Sequence, residues 1–132
     1  MVVVGRDSAS GTREYFHDAV MNKEDFTTKQ LEKNSNGAVR QTVFQTPGAI
    51  GYVGLGYVDG GAVKAVPVNT GSATVDASVA TVLSGEYPIA RGLNMFTVGG
   101  QPEGLAAAYL SFIMSLTDRH WLLKKDLFRL PE

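Results

Sequence analysis

The sequence predicts an α/β fold of three layers, a mainly parallel sheet with helices on both faces. Three observations carry this. Short β-branched or apolar runs alternate with segments whose apolar residues recur at helical spacing. The connections are short and rich in Gly, Pro, Asn and Ser. The 132 residues are enough for one real core and too few for two ordinary domains. Strands separated by helices need crossovers, and crossovers make parallel pairs.

Taken in order, Val2-Val3-Val4 is a β-branched run closed by Gly5 and reads as a buried strand. In residues 13–21, Tyr15, Phe16, Ala19 and Val20 form one helical stripe and leave Arg13, Glu14, His17 and Asp18 on other faces. Residues 23–33 are polar, with Phe26 and Leu31 as their large apolar side chains. They predict a short surface helix, ended by the turn cluster Asn34-Ser35-Asn36-Gly37 and carrying no chemistry. Val39, Val43 and Phe44 keep helical spacing over residues 38–45, and Thr46-Pro47-Gly48 stops that helix because Pro removes a donor and biases its predecessor out of the α region. A strand over 49–53 follows. The glycines at 48, 51, 54 and 56 have neither the order of a dinucleotide fingerprint nor a Walker lysine, and read as tight turns beside a sheet.

Residues 63–68 predict another strand after Asp59-Gly60-Gly61. Val75, Val79, Val82 and Leu83 then predict a helix, with Gly85 at the C′ position where positive φ is wanted. Residues 91–98 are apolar on both alternating faces, as in a strand buried on both sides. Pro102, at a first helical position, opens a core helix with Leu105, Tyr109, Phe112, Ile113 and Leu116 on one stripe. The chain is thus divided into a lobe, residues 1–116, and a divergent helical tail, residues 117–132. In the tail Leu123, Leu127 and Leu130 are expected to share a helical face with basic residues around it, which packs on its own or a second chain in preference to a membrane surface, because one short helix with few anchors binds bilayers weakly.

Composition excludes several functions. With 44% hydrophobic residues, 19% charged and a net charge of −1, there is no nucleic-acid footprint and no polybasic membrane patch. Zero cysteines exclude disulfides, thiolate metal sites and cysteine nucleophiles, and leave the redox compartment open. Two histidines without a carboxylate at ligand spacing make no metal shell, so neither metal nor cofactor is expected. No apolar run approaches the roughly 20 residues that span a bilayer, and the first residues lack the pattern of an export signal.

The chemistry concentrates in Gly5-Arg6-Asp7-Ser8-Ala9-Ser10-Gly11-Thr12, between the first strand and the first helix. At such a turn the first helical N–H groups have no intrahelical partner and carry the positive end of the macrodipole. Ser8, Ser10 and Thr12 add hydroxyls, Gly11 permits close approach, and Arg6 offers a planar fork that matches two oxygens of an oxyanion. Asp7 is placed to steady that fork. The residues alone leave two readings, an anion cradle or an ordinary capped helix start with a surface Arg.

Arg-x-x-x-Ser-Gly-Thr after a strand, here Arg6, Ser10, Gly11 and Thr12, resembles the phosphate-gripping segment of the substrate-binding proteins of phosphate ABC transporters. Gly37-Ala38-Val39, the run from Thr46 through Tyr57, Tyr87-Pro88-Ile89-Ala90-Arg91 and the helix after Gly100-Gln101-Pro102-Glu103-Gly104 resemble further segments of that family in the same order, so the likeness covers residues 2–115. It implies one lobe of a type 2 periplasmic binding protein that binds inorganic phosphate without catalysis. The ligand residues would be Arg6, Ser10, Gly11 and Thr12, with Asp7 and Ser8 in support. Members often carry an acid two residues after the Arg, where this chain has Ser8 and an Asp7 one residue earlier. The resemblance also implies an exported or membrane-anchored capture protein that delivers to a membrane permease. The opposing half of its clamp is expected in sequence preceding residue 1.

Two rival classes are weighed. A serine hydrolase or phosphatase would need Ser8 or Ser10 as nucleophile and His17 or His120 as base. There is no Gly-x-Ser-x-Gly elbow, and His17 lies about 10 Å along the helix from Ser10. An interaction or domain-swapped fragment without its own ligand affinity is the other. Faces that a second lobe would cover predict a homodimer or higher oligomer, by exchange of the segment after Leu116. An Arg6 kept for a ligand is further expected to be poorly paired within the protein, so that its removal weakens binding and spares stability.

Overall fold

In the computed structural model, which describes residues 1–58, 61–92 and 94–115, the opening valines form the strand to which the neighbouring strands are paired. Strand β1 (Val2–Arg6) runs parallel to β2 (Leu31–Lys33) on one side and to β3 (Ala49–Gly51) on the other, giving the order β2-β1-β3. Val4 pairs with Leu31 and Arg6 with Lys33; Val2 pairs with Ala49 and Val4 with Gly51. The ladder is extended at both ends, by the Asp7 N–H donating to Lys33 O (3.1 Å) and the Val2 N–H to Gly48 O (3.1 Å).

Helix α1 (Gly11–Ala19) links β1 to β2, and α2 (Asn36–Gln45) carries the chain from β2 back past β1 to β3. The two crossovers run in opposite directions along the sheet. Right-handedness, which nearly all such units obey, therefore puts α1 and α2 on opposite faces. This is the three-layer α/β arrangement that strand–helix alternation predicts. Val4 of β1 and Val39 of α2 are fully buried. A Cβ on Gly51 would lie 2.9 Å from Val39 Cγ1 and 2.9 Å from Val4 O, so a glycine in β3 is what lets α2 approach the sheet.

The compact units are Met1–Ile89 and Ala90–Glu132. The first continues through a 3₁₀ turn, Leu55–Tyr57, to an antiparallel ribbon of β4 (Val68–Asn69) and β5 (Thr74–Val75), then α3 (Val79–Leu83). Ser78 caps α3 in a reciprocal box with Thr81, and Gly85 follows at φ +76°. The second unit contains α4 (Gly104–Met114).

Several expectations are corrected. Residues 23–33 form no helix; Leu31, Glu32 and Lys33 are drawn into β2 by pairing with β1. Of 63–68 only Val68 is in a strand, and Val75 pairs with it, so the helix predicted from Val75 starts after Ser78. No described residue of 91–98 is in a strand. Pro102 precedes the helix it was to open, which begins at Gly104 after Glu103. That helix is not buried either: Leu105 is 91% exposed and Phe112 61%. The tail 117–132, with His120 and the segment available for exchange, lies outside the described residues.

Candidate anion-binding site

The order β2-β1-β3 reverses the direction of winding at β1, and in open α/β sheets the ligand crevice opens outside the carboxyl ends of the strands at such a reversal. The carboxyl end of β1 is Arg6. After it the chain makes a turn closed by the Ser10 N–H donating to Asp7 O at 3.3 Å, and α1 begins. Ser10 is extended (φ −98°, ψ 115°), as an N-cap must be, and its Oγ accepts the Arg13 N–H at 3.2 Å while its carbonyl accepts the Glu14 N–H at 3.0 Å. That leaves the Gly11 and Thr12 N–H groups. Neither has an acceptor among the described residues. The Ser10 hydroxyl keeps its own proton to donate, and Ser10 is only 5% exposed, so a buried polar side chain sits at the foot of two free backbone donors.

Arg6 stands at the other end of the same turn. Its backbone N–H donates to Tyr52 Oη (3.2 Å), Nε to Lys33 O (3.2 Å), Nη1 to Asn36 Oδ1 (2.9 Å) and Nη2 to Asn34 O (3.2 Å). The fork is thus well paired, contrary to the expectation for a ligand arginine. Its acceptors are all neutral, however, and no ion pair joins it to Asp7 among the described residues. The side chain has five N–H donors, so two remain for an anion, and the positive charge is not cancelled in place.

Beneath lies an aromatic stack. The rings of Phe16 on α1 and Tyr52 just past β3 are nearly parallel (8°) with centroids 4.3 Å apart, and Phe26 lies 6.5 Å from Phe16 and 6.4 Å from Tyr52. Arg13 Cζ is 4.5 Å from the Phe26 ring centroid. These contacts tie α1, the segment after it and the exit of β3 together. Phe26 also lines an open cleft of about 700 Å³, with Ser8, Ala9, Ser10 and Gly11 from the loop and Arg13, Glu14, His17, Asp25 and Thr28 from α1 and the segment after it.

The predicted residues are therefore divided. Ser8, Ser10 and Gly11 line the cleft; Arg6, Asp7 and Thr12 do not. Sequence reasoning missed Asn36 and Tyr52, the side chains that hold Arg6 by its fork and by its backbone. Nothing local announces either, because they lie 30 and 46 residues from Arg6. Of the rival nucleophile–base pairs, those with His120 lie outside the described residues, and among the described residues Ser10 Oγ accepts from Arg13 while His17 Nδ1 lies 3.1 Å from Asp18 Oδ1. Among the described residues no group of three His, Cys, Asp or Glu could hold a metal ion, and no helix is long and apolar enough to cross a membrane.

A parallel sheet with free helix-start donors at its reversal point, beside an arginine whose acceptors are neutral, is the geometry in which open α/β folds hold oxyanions. Residues 1–117 match the family model of the PBP superfamily domain, and the chain belongs to that superfamily. It is 33% identical over 132 residues to the phosphate-binding protein PstS of Pseudomonas aeruginosa, covering 96% of this chain and 41% of the relative. It is 29% identical over 115 residues to PstS of Bacillus subtilis, covering 87% of this chain and 36% of the relative. A Clostridium perfringens protein assigned as a phosphate ABC transporter substrate-binding protein, solved with bound phosphate, superposes with a TM-score of 0.78 at 26% identity, over 99% of this chain and 52% of that one. A phosphate-binding protein of a Streptococcus pneumoniae phosphate ABC transporter gives 0.67 at 27%, over 94% and 49%. The resemblance read from Arg6, Ser10, Gly11 and Thr12 and the later segments is thereby borne out, and the chain spans about half the length of these relatives or less.

Proposed function

We propose that this chain binds inorganic phosphate as part of the extracytoplasmic capture component of a phosphate ABC transporter, with the transporter's membrane permease as the partner of the whole protein. One observation carries the reading: two free N–H groups at the start of α1, next to a buried Ser10, lie across the four-residue turn Asp7–Ser10 from an arginine whose charge no acid cancels among the described residues. In the bound state the remaining Arg6 donors grip two oxygens, the Ser10 and Thr12 hydroxyls and the Gly11 N–H meet the others, and Asp7 and Ser8 support the turn. Support comes also from the relatives, named phosphate-binding protein PstS. Capture and release need no chemistry of the chain's own residues. The lobe of residues 1–116 is the part we assign to the ligand.

The apolar residues bared on α4, Leu105 and Phe112 foremost, further support association with more protein surface, a second copy of this chain included. Light scattering at high micromolar concentration tests that; a monomer mass counts against it. The ligand reading is tested by calorimetric titration with phosphate at low salt. A half-clamp should bind in the micromolar to millimolar range, about −8 to −4 kcal/mol. No saturable heat against a chloride control, or turnover of a model phosphate ester, would overturn it.

A further inference from the structure

Resting on the phosphate reading above, we infer that Asn36 is the positioning residue for Arg6, holding the guanidinium ready for the anion without cancelling its charge. The Asn36 Oδ1 contact at 2.9 Å is the shortest of those the fork makes, and the other acceptors are main-chain carbonyls of Lys33 and Asn34. Asn36 is thus the side chain that sets the orientation of the Nη1 group among the described residues. It is itself held. It is the first residue of α2, which Ser35 caps by accepting the Ala38 N–H at 3.1 Å and which the fully buried Val39 fixes to the sheet. The amide can face only one way, because a guanidinium offers donors alone and requires the oxygen end. An arginine already fixed loses less freedom when the anion arrives, which favours binding. A carboxylate at this position would make as good a hydrogen bond, yet would set a negative charge beside the incoming anion. The amide gives the geometry without that repulsion.

The test uses the full chain, inorganic phosphate as probe, and the side-chain N–H resonances of Arg6, identified by their loss in Arg6→Lys. In the phosphate-free wild type the Arg6 Nη signals should be resolved, because their rotation is held. Asn36→Ala should average the Nη1 signals, which Asn36 alone holds among the described residues, and weaken phosphate binding about three- to tenfold, whereas Asn36→Asp should keep them resolved and yet weaken binding more than Asn36→Ala at low salt. The Asn36→Asp deficit should shrink as salt screens the added charge. Unchanged Nη signals in Asn36→Ala would overturn the positioning role, and wild-type affinity in Asn36→Asp would overturn the charge argument. If Asn36→Ala does not fold, Asn36→Ser is read in its place. Should the wild type bind no phosphate, the reading above falls, while the Nη signals still decide whether Asn36 holds Arg6.

Discussion

The two long helices of the amino-terminal unit begin alike and stand beside different neighbours. Each follows a strand of the same parallel sheet. Each is capped by a serine whose Oγ accepts the N–H three residues on, Ser10 from Arg13 at 3.2 Å and Ser35 from Ala38 at 3.1 Å. Each leaves its first two N–H groups, Gly11 and Thr12 or Asn36 and Gly37, without an acceptor among the described residues. By the helix dipole alone they attract an anion equally. What separates them is the strand end beside each. The start of α1 follows central β1, whose last residue is Arg6, and its cap is buried; the start of α2 follows edge strand β2, its cap is exposed, and its first side chain is committed to Arg6. Two helix starts of equal dipole are thus told apart by what the sheet sets next to each.

The largest expected effect comes from removing the charge that distinguishes the two starts. Arg6→Ala deletes a bidentate, charge-assisted contact of about 1.5–3 kcal/mol, so phosphate affinity should fall tenfold to a hundredfold or more. Because Nε, Nη1 and Nη2 are hydrogen-bonded to the β2–α2 turn, stability should fall as well, by about 1 kcal/mol or somewhat more. For a chain of this size that is a melting shift of roughly 3–6 °C. Calorimetry and thermal melts of wild type and variant check both. Equal phosphate affinity with a lowered melting point would make Arg6 a purely structural residue.

Much of this region was legible in the sequence, and the reason is locality. β1, α1, α2 and β3 each carry their own signal, a β-branched run, a helical stripe or a Pro-Gly stop. The candidate anion loop lies between two of them. β2 was not legible, because Leu31-Glu32-Lys33 has one apolar residue and is a strand by virtue of pairing with β1. Residues 91–98 show the converse, an alternating pattern that forms no strand among the described residues. The spacing of Val75 predicts a helix, although the reciprocal cap of Ser78 and Thr81 marks the true start. The loop's own side chains could be named, but its long-range supports, Asn36 and Tyr52, could not, since a turn cluster and a strand-end tyrosine become partners of Arg6 only when the sheet closes.

A second change attacks what both helix starts share. Gly51→Ala inserts a methyl group 2.9 Å from Val4 O and Val39 Cγ1, where main chain cannot yield cheaply. Overpacking of this kind costs about 1–3 kcal/mol, so the melting point should drop by at least several degrees. Phosphate affinity, measured well below the melting point, should change less than in Arg6→Ala, because every donor of the loop and the fork is kept and only the packing behind Asn36 and Tyr52 is disturbed. A variant that melts like the wild type would show that α2 does not rely on this close approach.

The finest discrimination is between the two caps. Ser10→Ala and Ser35→Ala remove the same hydrogen bond from the same helical position, and each should cost about 0.5–2 kcal/mol of stability, so their melting points should fall by similar amounts. Only Ser10 also offers a buried hydroxyl to the ligand. A hydrogen bond to a charged group contributes about 1.5–3 kcal/mol, part of which water recovers at an open cleft, so Ser10→Ala should weaken phosphate binding roughly three- to tenfold. Ser35→Ala should leave it within about twofold, since Asn36 stays anchored through α2 and Val39. Titrating both variants with phosphate at one temperature, after melts have shown equal folded fractions, makes the comparison direct. If Ser35→Ala weakens binding as much as Ser10→Ala, the start of α1 holds no privilege, and the anion would have to be sought as readily at α2.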